Sequence, residues 1–310
     1  MNSVHKGIIA LIIANAIWGF ASPIFKWSLT NIPPYTLAFW RFFLATFFLG
    51  TLLIATKQMA VQTLNKKHWF KLFFYALTGI TGNIIFYFLG LQRTLSINAP
   101  VIASAQPILV FMVAPFLLGE SVTKKKIVGM VIGTIGILAI VFEPIYYNGF
   151  DGNFVGNLFL VLATIFAILA TLTGRKLFHD QNPLTLMFWA FVIGAVSFFP
   201  FALFEYGSNA NLYMQIDIKG IIGIIYGSVF SSAIAYTCFA YGLSKITASE
   251  SSIFTYIDPI AGTTLAFFML HEPITFPFIV GSIFIFGGIF IAEGRIHYHP
   301  LHKFLHQINT

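Results

Sequence analysis

Apolar runs of roughly twenty residues, separated by short clusters of charge, proline and glycine, recur along the whole chain. Each is long enough to cross a hydrocarbon core about 30 Å thick as an α-helix. Ten such runs are predicted, at residues 7–27, 35–56, 71–91, 98–118, 127–143, 154–174, 184–204, 219–243, 250–270 and 275–293. A transmembrane β-barrel would instead read as segments of about ten residues with alternating polarity, which these continuous runs are not. The expected fold class is therefore an all-α integral membrane protein. The first run is no cleavable signal peptide, because it has full spanning length, lacks a small-residue cleavage site and is followed at once by a second span.

Composition narrows the class further. Of 310 residues, 58% are hydrophobic and 9% charged, against about a quarter charged in soluble proteins. A water-soluble fold is excluded, and the loops leave no room for a soluble catalytic, nucleotide-binding or DNA-binding domain. The net charge of +7 thus belongs to loops and lipid headgroups, with no nucleic-acid partner. Cys238 is the single cysteine, so an intramolecular disulfide and a cysteine-rich metal site are both excluded.

The placement of the positive charges sets an orientation. With the N-terminus inside, thirteen of the seventeen Lys and Arg residues fall on the cytoplasmic side and only Lys26, Arg41, Arg93 and Lys219 fall outside. Both termini are expected in the cytoplasm, in the cell (inner or plasma) membrane.

Sliding the chain against itself by 152 residues superimposes Gly90-Leu91, Pro107, Glu120, Gly129 and Gly136 on Gly242-Leu243, Pro259, Glu272, Gly281 and Gly288. Each copy carries five spans, an odd number, so the second is predicted to sit upside down. The loops agree: Glu120 is followed by Lys124, Lys125 and Lys126, whereas Pro273 to Phe276 after Glu272 carry no Lys. The predicted organisation is a first repeat over 1–147, an inverted second repeat over 148–295 and a cytoplasmic His-rich tail over 296–310. Inverted repeats of this kind suit alternating access in secondary transporters.

Together with Ala16-Ile17-Trp18-Gly19 and Lys26 in the first span and Trp40-Arg41 in the second, this doubled skeleton resembles the EamA-type carriers of the drug/metabolite transporter superfamily. The resemblance covers nearly the whole chain. It implies ten transmembrane helices in two five-helix repeats around a central cavity, and a solute carrier for amino acids, nucleobase-like compounds or other metabolites. Arg41 has no counterpart in the second half.

Asp258 is the leading candidate for chemistry. It lies about 12 Å along the ninth span from its cytoplasmic end, near mid-membrane. A charged side chain there costs about 2.5 to 3.5 kcal/mol on insertion scales, so it must face a cavity or a partner. It is assigned to proton coupling or cation recognition. Pro259 is expected to leave the carbonyl of Thr255 without its helical donor. The repeat puts Gln106 at the equivalent place, again before a proline. Asn15 with Trp18, Asn83 with Tyr87, and Ser232 with Tyr236 each share a helix face. With Ser104, Gln106, Trp189 and Thr255 they form the predicted substrate site, since amide, hydroxyl and aromatic groups suit a small organic solute better than a bare ion.

Other polar residues read as structural. Lys26 and Arg41 lie at neighbouring outer ends of the first two spans, where they could attract an anionic substrate, but the expected role is snorkelling to headgroups. Glu120 and Glu272 are expected to organise helix junctions, and Gly129, Gly133 and Gly136 to permit close helix packing. His297, His299, His302 and His306 mark a membrane-surface tail and not a metal site. No phosphate loop or paired carboxylates occur, and His271-Glu272 runs into Pro273 instead of completing a zinc-protease motif. The expectation is a transporter of a small-molecule substrate without cofactor or metal, as a monomer or homodimer in the bilayer. A membrane-embedded enzyme or a receptor with a polar midplane pocket is the alternative.

Overall fold

The apolar runs fold as helices, and the computed structural model describes them over residues 3–57, 65–106, 108–109, 124–148, 152–246 and 251–293. No strand occurs among these residues. Their outer faces carry Phe70, Phe204, Ile260, Phe268, Ile283 and Phe290, all exposed, while Asn15, Arg41, Asn98, Asn157, Asp258 and Glu272 are buried. Apolar side chains thus cover the outside and most of the core, while the few polar groups of the spans are turned inward, away from lipid.

Helix α1 spans Ser3–Ser28 and contains Pro23. Helix α2, Pro34–Ala55, opens on a proline at its first position, where the missing N–H costs no hydrogen bond. Helix α3 runs over Lys66–Arg93 and starts at Asn65, whose side chain accepts from the His68 N–H at 2.9 Å. Helix α4 is described over Asn98–Ser104. Helices α5 (Lys124–Asn148), α6 (Gly152–Asp180) and α7 (Pro183–Ser208) follow. A short helix, Leu212–Gln215, precedes α8, Ile218–Lys245. The last two are α9, Ile257–Leu270, and α10, Phe276–Glu293.

Among the described residues seven helices are long and apolar enough to cross a membrane, and Phe254–Leu270 and Phe276–Ala292 form shorter apolar helices. The ninth predicted span, 250–270, is not one continuous α-helix: Ser252–Tyr256 is a 3₁₀ turn, and the α-helix starts only at Ile257. Two other spans also depart from a regular α-helix. α3 contains a π-helical stretch at Leu77–Gly82 and α8 one at Tyr226–Ile234. Most of the fourth predicted span beyond Gln106 lies outside the described residues, as do Pro107, Glu120 and the His-rich tail.

The 152-residue period reappears in the backbone. Shifting Lys66, Gly82 and Arg93 of α3 by that interval reaches Ile218, Ile234 and Lys245, the start, the end of the π stretch and the end of α8. Lys124, where α5 begins, maps onto Phe276, where α10 begins. These last two helices pack against each other antiparallel through equivalent glycines. A Cβ on Gly136 would lie 2.5 Å from the Gly281 carbonyl oxygen, and one on Gly288 would lie 2.6 Å from that of Gly129. Each glycine of one copy thus meets the other glycine of the second copy, bringing the two backbones into contact.

This contact predicts a sharp difference between neighbouring positions. Gly288→Leu should lower the apparent melting temperature of the detergent-purified protein, with a loss on the order of 1–3 kcal/mol or more from overpacking. Gly287→Ala, where an added Cβ meets nothing within 4 Å, should be neutral or gain up to about 1 kcal/mol of helix propensity. Equal tolerance of both would show that the α5–α10 seam is not close-packed.

Candidate functional site

A cavity of about 170 Å³ sits at the centre of the bundle. α1 contributes Asn15, Trp18, Ser22 and Phe25 at three- and four-residue spacing, and α3 contributes Tyr75, Gly79, Asn83 and Tyr87 at an unbroken four-residue spacing. Both sets lie on one helix face. α2 supplies Arg41, α6 supplies Thr164 and Thr171, α8 supplies Ser231, Tyr236 and Phe239, the 3₁₀ turn before α9 supplies Thr255, and the first turn of α9 supplies Asp258. Gln106, just past α4, completes the wall.

The two π-helical stretches explain how a polar wall forms inside apolar helices. Widening the turn re-aims backbone carbonyls out of the regular ladder, and side chains from other helices take them up. The Trp18 indole N–H donates to the Ser231 carbonyl at 3.0 Å, and the Tyr236 hydroxyl donates to that of Gly79 at 3.3 Å. Trp18 packs edge-on to Tyr236 with centroids 5.1 Å apart. Asn83 donates to the Ala163 carbonyl at 2.8 Å. Asn15 donates to Leu11 at 2.7 Å, and its own amide oxygen is buried with no hydrogen-bond partner.

Asp258 occupies the first turn of α9 and is only 8% exposed, and its Oδ1 has no hydrogen-bond partner. Helix α1 presses directly on it: a Cβ on Gly19 would lie 2.8 Å from the Asp258 carbonyl oxygen. The expectation of a freed Thr255 carbonyl is corrected by the 3₁₀ turn, since backbone N–H groups at the junction reach back to the carbonyls of Phe254 and Thr255. The tighter turn supplies the donors that an α-helix ending in Pro259 would lack. At the equivalent place in the first copy, the N–H groups after α4 reach back to Ile102 and Ala103. Gln106 lies just beyond and donates to Thr171 Oγ1 at 3.5 Å.

Eight of the residues singled out in the sequence line this cavity: Asn15, Trp18, Asn83, Tyr87, Gln106, Tyr236, Thr255 and Asp258. Three do not. Ser104 turns its hydroxyl to the Val101 carbonyl at 2.6 Å, the usual fate of a serine within a helix. Trp189 packs against Trp69 and Phe188 with centroids 5.2 and 5.3 Å away. Ser232 stands behind the wall and accepts from Arg41 Nε at 2.7 Å.

Neither Lys26 nor Arg41 snorkels. Lys26 is half-buried and donates to the Leu91 carbonyl at 3.0 Å and to that of Thr94, closing the end of α3. Arg41 is 2% exposed and belongs to the cavity wall. Glu272 does organise a helix junction: it accepts from Ser96 N, Ser96 Oγ and Ile97 N at 2.8, 2.9 and 3.0 Å, just before α4. Glu205, not singled out by the sequence, does the same for α2, accepting from Tyr35 N and Thr36 N at 3.1 and 2.7 Å. Tyr75 was readable from the sequence by extending the Asn83–Tyr87 face back by two four-residue steps. Thr164, Thr171 and Ser231 were not, because serine and threonine are common in membrane helices and their hydroxyls commonly bond back within their own helix.

Fold and site together define a polytopic helical membrane protein built around a largely apolar cavity into which a few polar side chains project. The chain matches the EamA-like transporter family model twice, over residues 5–142 and 154–293, and belongs to that family. It is 28% identical to an uncharacterized transporter of Archaeoglobus fulgidus, over 93% of this chain and 98% of the relative. The uncharacterized transporter YetK of Bacillus subtilis is likewise 28% identical, over 92% of this chain and 86% of its own. A probable amino-acid metabolite efflux pump of Escherichia coli is 22% identical over 93% and 95%. A protein of known crystal structure shares the fold with a TM-score of 0.63 at 16% identity, covering 94% of this chain and 96% of its own.

Water access separates wall from packing. In a Cys238→Ser background, cysteine at Thr255 or Gln106 should react with a polar thiol reagent, while cysteine at Ser104 should not. Labelling at Ser104 with silence at Thr255 would place the aqueous space on the wrong side of the α4 and α9 breaks.

Proposed function

We propose that the protein is a secondary active transporter that moves a small organic metabolite, an amino acid, amine or nucleobase-like solute, across the cell membrane by alternating access. In this reading ten transmembrane helices form two inverted repeats, 1–147 and 148–295, and both termini are cytoplasmic. The observation that carries it is Asp258, a buried carboxyl group with an unpaired oxygen at a helix break on the central cavity. An ionisable group held at such a place serves ion coupling or recognition of a cationic group. The crossed pairing of Gly129 with Gly288 and Gly136 with Gly281 supports inversion, because a two-fold axis between antiparallel helices generates that exchange. The similarity to the probable amino-acid metabolite efflux pump of Escherichia coli supports a metabolite substrate.

In proteoliposomes, Asp258→Asn should fold with an unchanged melting temperature and lose accumulation driven by a pH gradient, while exchange of substrate across the membrane persists. Exchange survives because that cycle does not require the carboxyl group to change charge. Wild-type gradient-driven uptake by the Asn variant overturns the coupling role. Absence of flux for every solute in a labelled metabolite panel overturns transport itself, with chemical turnover pointing to an enzyme and binding alone to a receptor.

The orientation has its own check. Reporter fusions at Lys66, Lys125 and the C-terminus should read cytoplasmic and one at Asn148 external. An external reading at Lys125 contradicts the inverted arrangement.

A further inference from the structure

Arg41 is an unfinished ion. It is 2% exposed inside a membrane helix, yet it lines the central cavity. Its Nε donates to Ser232 Oγ at 2.7 Å and its Nη2 to Ser231 Oγ at 3.0 Å. The guanidinium carbon lies 4.9 Å from the ring centroids of both Phe25 and Phe42 and 5.9 Å from that of Tyr236. Nη1 is buried with no hydrogen-bond partner. Among the described residues no carboxylate is bonded to this side chain.

Hydroxyl dipoles and aromatic faces attract a cation but do not neutralise it. A buried charge needs a partner of opposite sign and full hydrogen bonding to be tolerated, and here two N–H donors on Nη1 are unused. The rest of the guanidinium is pinned, so those donors are held in place before any ligand arrives. The pinning is local to the second π-helical stretch. Ser231 and Ser232 belong to it, and Gly227 in the same stretch leaves room for the Arg41 stem, since a Cβ there would lie 3.1 Å from Arg41 Cγ. Nε is engaged by Ser232 and Nη2 by both the hydroxyl and, at 3.5 Å, the carbonyl of Ser231, so the two N–H groups of Nη1 are what remains to donate to an anionic oxygen.

We propose that Arg41 is the docking point for a carboxylate on the transported solute, so that the substrate is an organic acid or the acid end of a zwitterion. This rests on the transporter reading above and adds the substrate's charge. Asp258 lines the same cavity with its own unpaired oxygen, so one wall carries both a cationic and a carboxyl group.

The test uses four probes of similar shape, leucine, leucinamide, isocaproate and isoamylamine, in thermal-shift titrations of the purified full-length protein. Leucine or isocaproate should half-saturate the wild type at a concentration roughly tenfold below its amide or amine counterpart, the discrimination expected of charge-assisted hydrogen bonds from Nη1. A response to isocaproate alone identifies a simple acid, and one to leucine alone a zwitterion. Arg41→Gln should erase the preference, and Arg41→Lys should keep part of it because the charge stays and the fixed Nη1 donors are lost. If Arg41→Gln does not fold, Ser231→Ala with Ser232→Ala leaves the charge, frees its orientation and should weaken the preference. Equal binding of leucine and leucinamide by the wild type, no binding of either carboxylate, or a preference that persists in Arg41→Gln overturns the assignment. A purely structural Arg41 would lower the melting temperature in Arg41→Gln and leave the acid-to-amide ratio unchanged. Flux of the amide or amine in proteoliposomes without carboxylate binding would reject the Arg41 role and leave transport standing.

Discussion

A bilayer core offers no water to a polar group, and each irregular feature of this bundle answers to that constraint. Once a helix is bent or widened to make a cavity, its displaced carbonyls must find donors within the protein. Two in the π stretches find them on other helices, Ser231 from Trp18 and Gly79 from Tyr236, while Asn83 and the Tyr226 hydroxyl add bonds to the Ala163 and Ile17 carbonyls of regular helix, the last at 2.6 Å. Single interhelical bonds in membranes are worth about 0.6 to 2 kcal/mol. Their combined effect is as much geometric as energetic, since each fixes one wall of the cavity against another.

The same constraint governs the helix ends. The first N–H groups of a helix lack intrahelical acceptors, and two buried or half-buried carboxylates serve them. Glu205 holds the start of α2 and Glu272 the segment entering α4. Lys26 does the complementary work on the carbonyl end of α3. Beside it, Thr94 and Asn98 both donate to Asn157 Oδ1, at 2.7 and 3.0 Å, tying α3 and α4 to α6. These ionisable groups are occupied by the scaffold. Arg41 and Asp258, both on the cavity wall, each retain an atom with no hydrogen-bond partner.

Backbone symmetry and side-chain asymmetry do different work. The two copies share a π stretch, a tightened turn before a polar residue and the crossed glycines of α5 and α10, so they have similar shapes. Their chemistry differs at the corresponding positions: Gln106 stands where the second copy has Asp258, and Arg41 stands where it has Ala190, with Pro34, Thr36, Phe39 and Trp40 matching Pro183, Thr185, Phe188 and Trp189. A pair of like carboxylates facing one cavity would repel each other, whereas an amide with a single carboxyl group does not. The cavity therefore has a polar direction that its backbone lacks.

Much of this was legible in the linear chain. Length and polarity of the apolar runs determine helices in a bilayer, because only helices and closed barrels satisfy their own backbone there. Rare residue types at a constant interval reveal the repeat, and isolated polar residues within apolar runs pointed to eight positions of the cavity wall. The sequence could not show which way a short hydroxyl turns: Ser104 bonds its own helix, Ser232 backs Arg41 and Ser231 reaches the wall, all with the same composition around them. Nor could it separate an arginine that snorkels from one held inside, since both sit near the end of an apolar run. That choice depends on what neighbouring helices present, and for Arg41 it was made by Gly227 leaving space, two serines supplying acceptors and three aromatic rings closing around the charge. Local pattern determined which segments enter the membrane, and only the packing of distant segments decided where the polar groups inside it point.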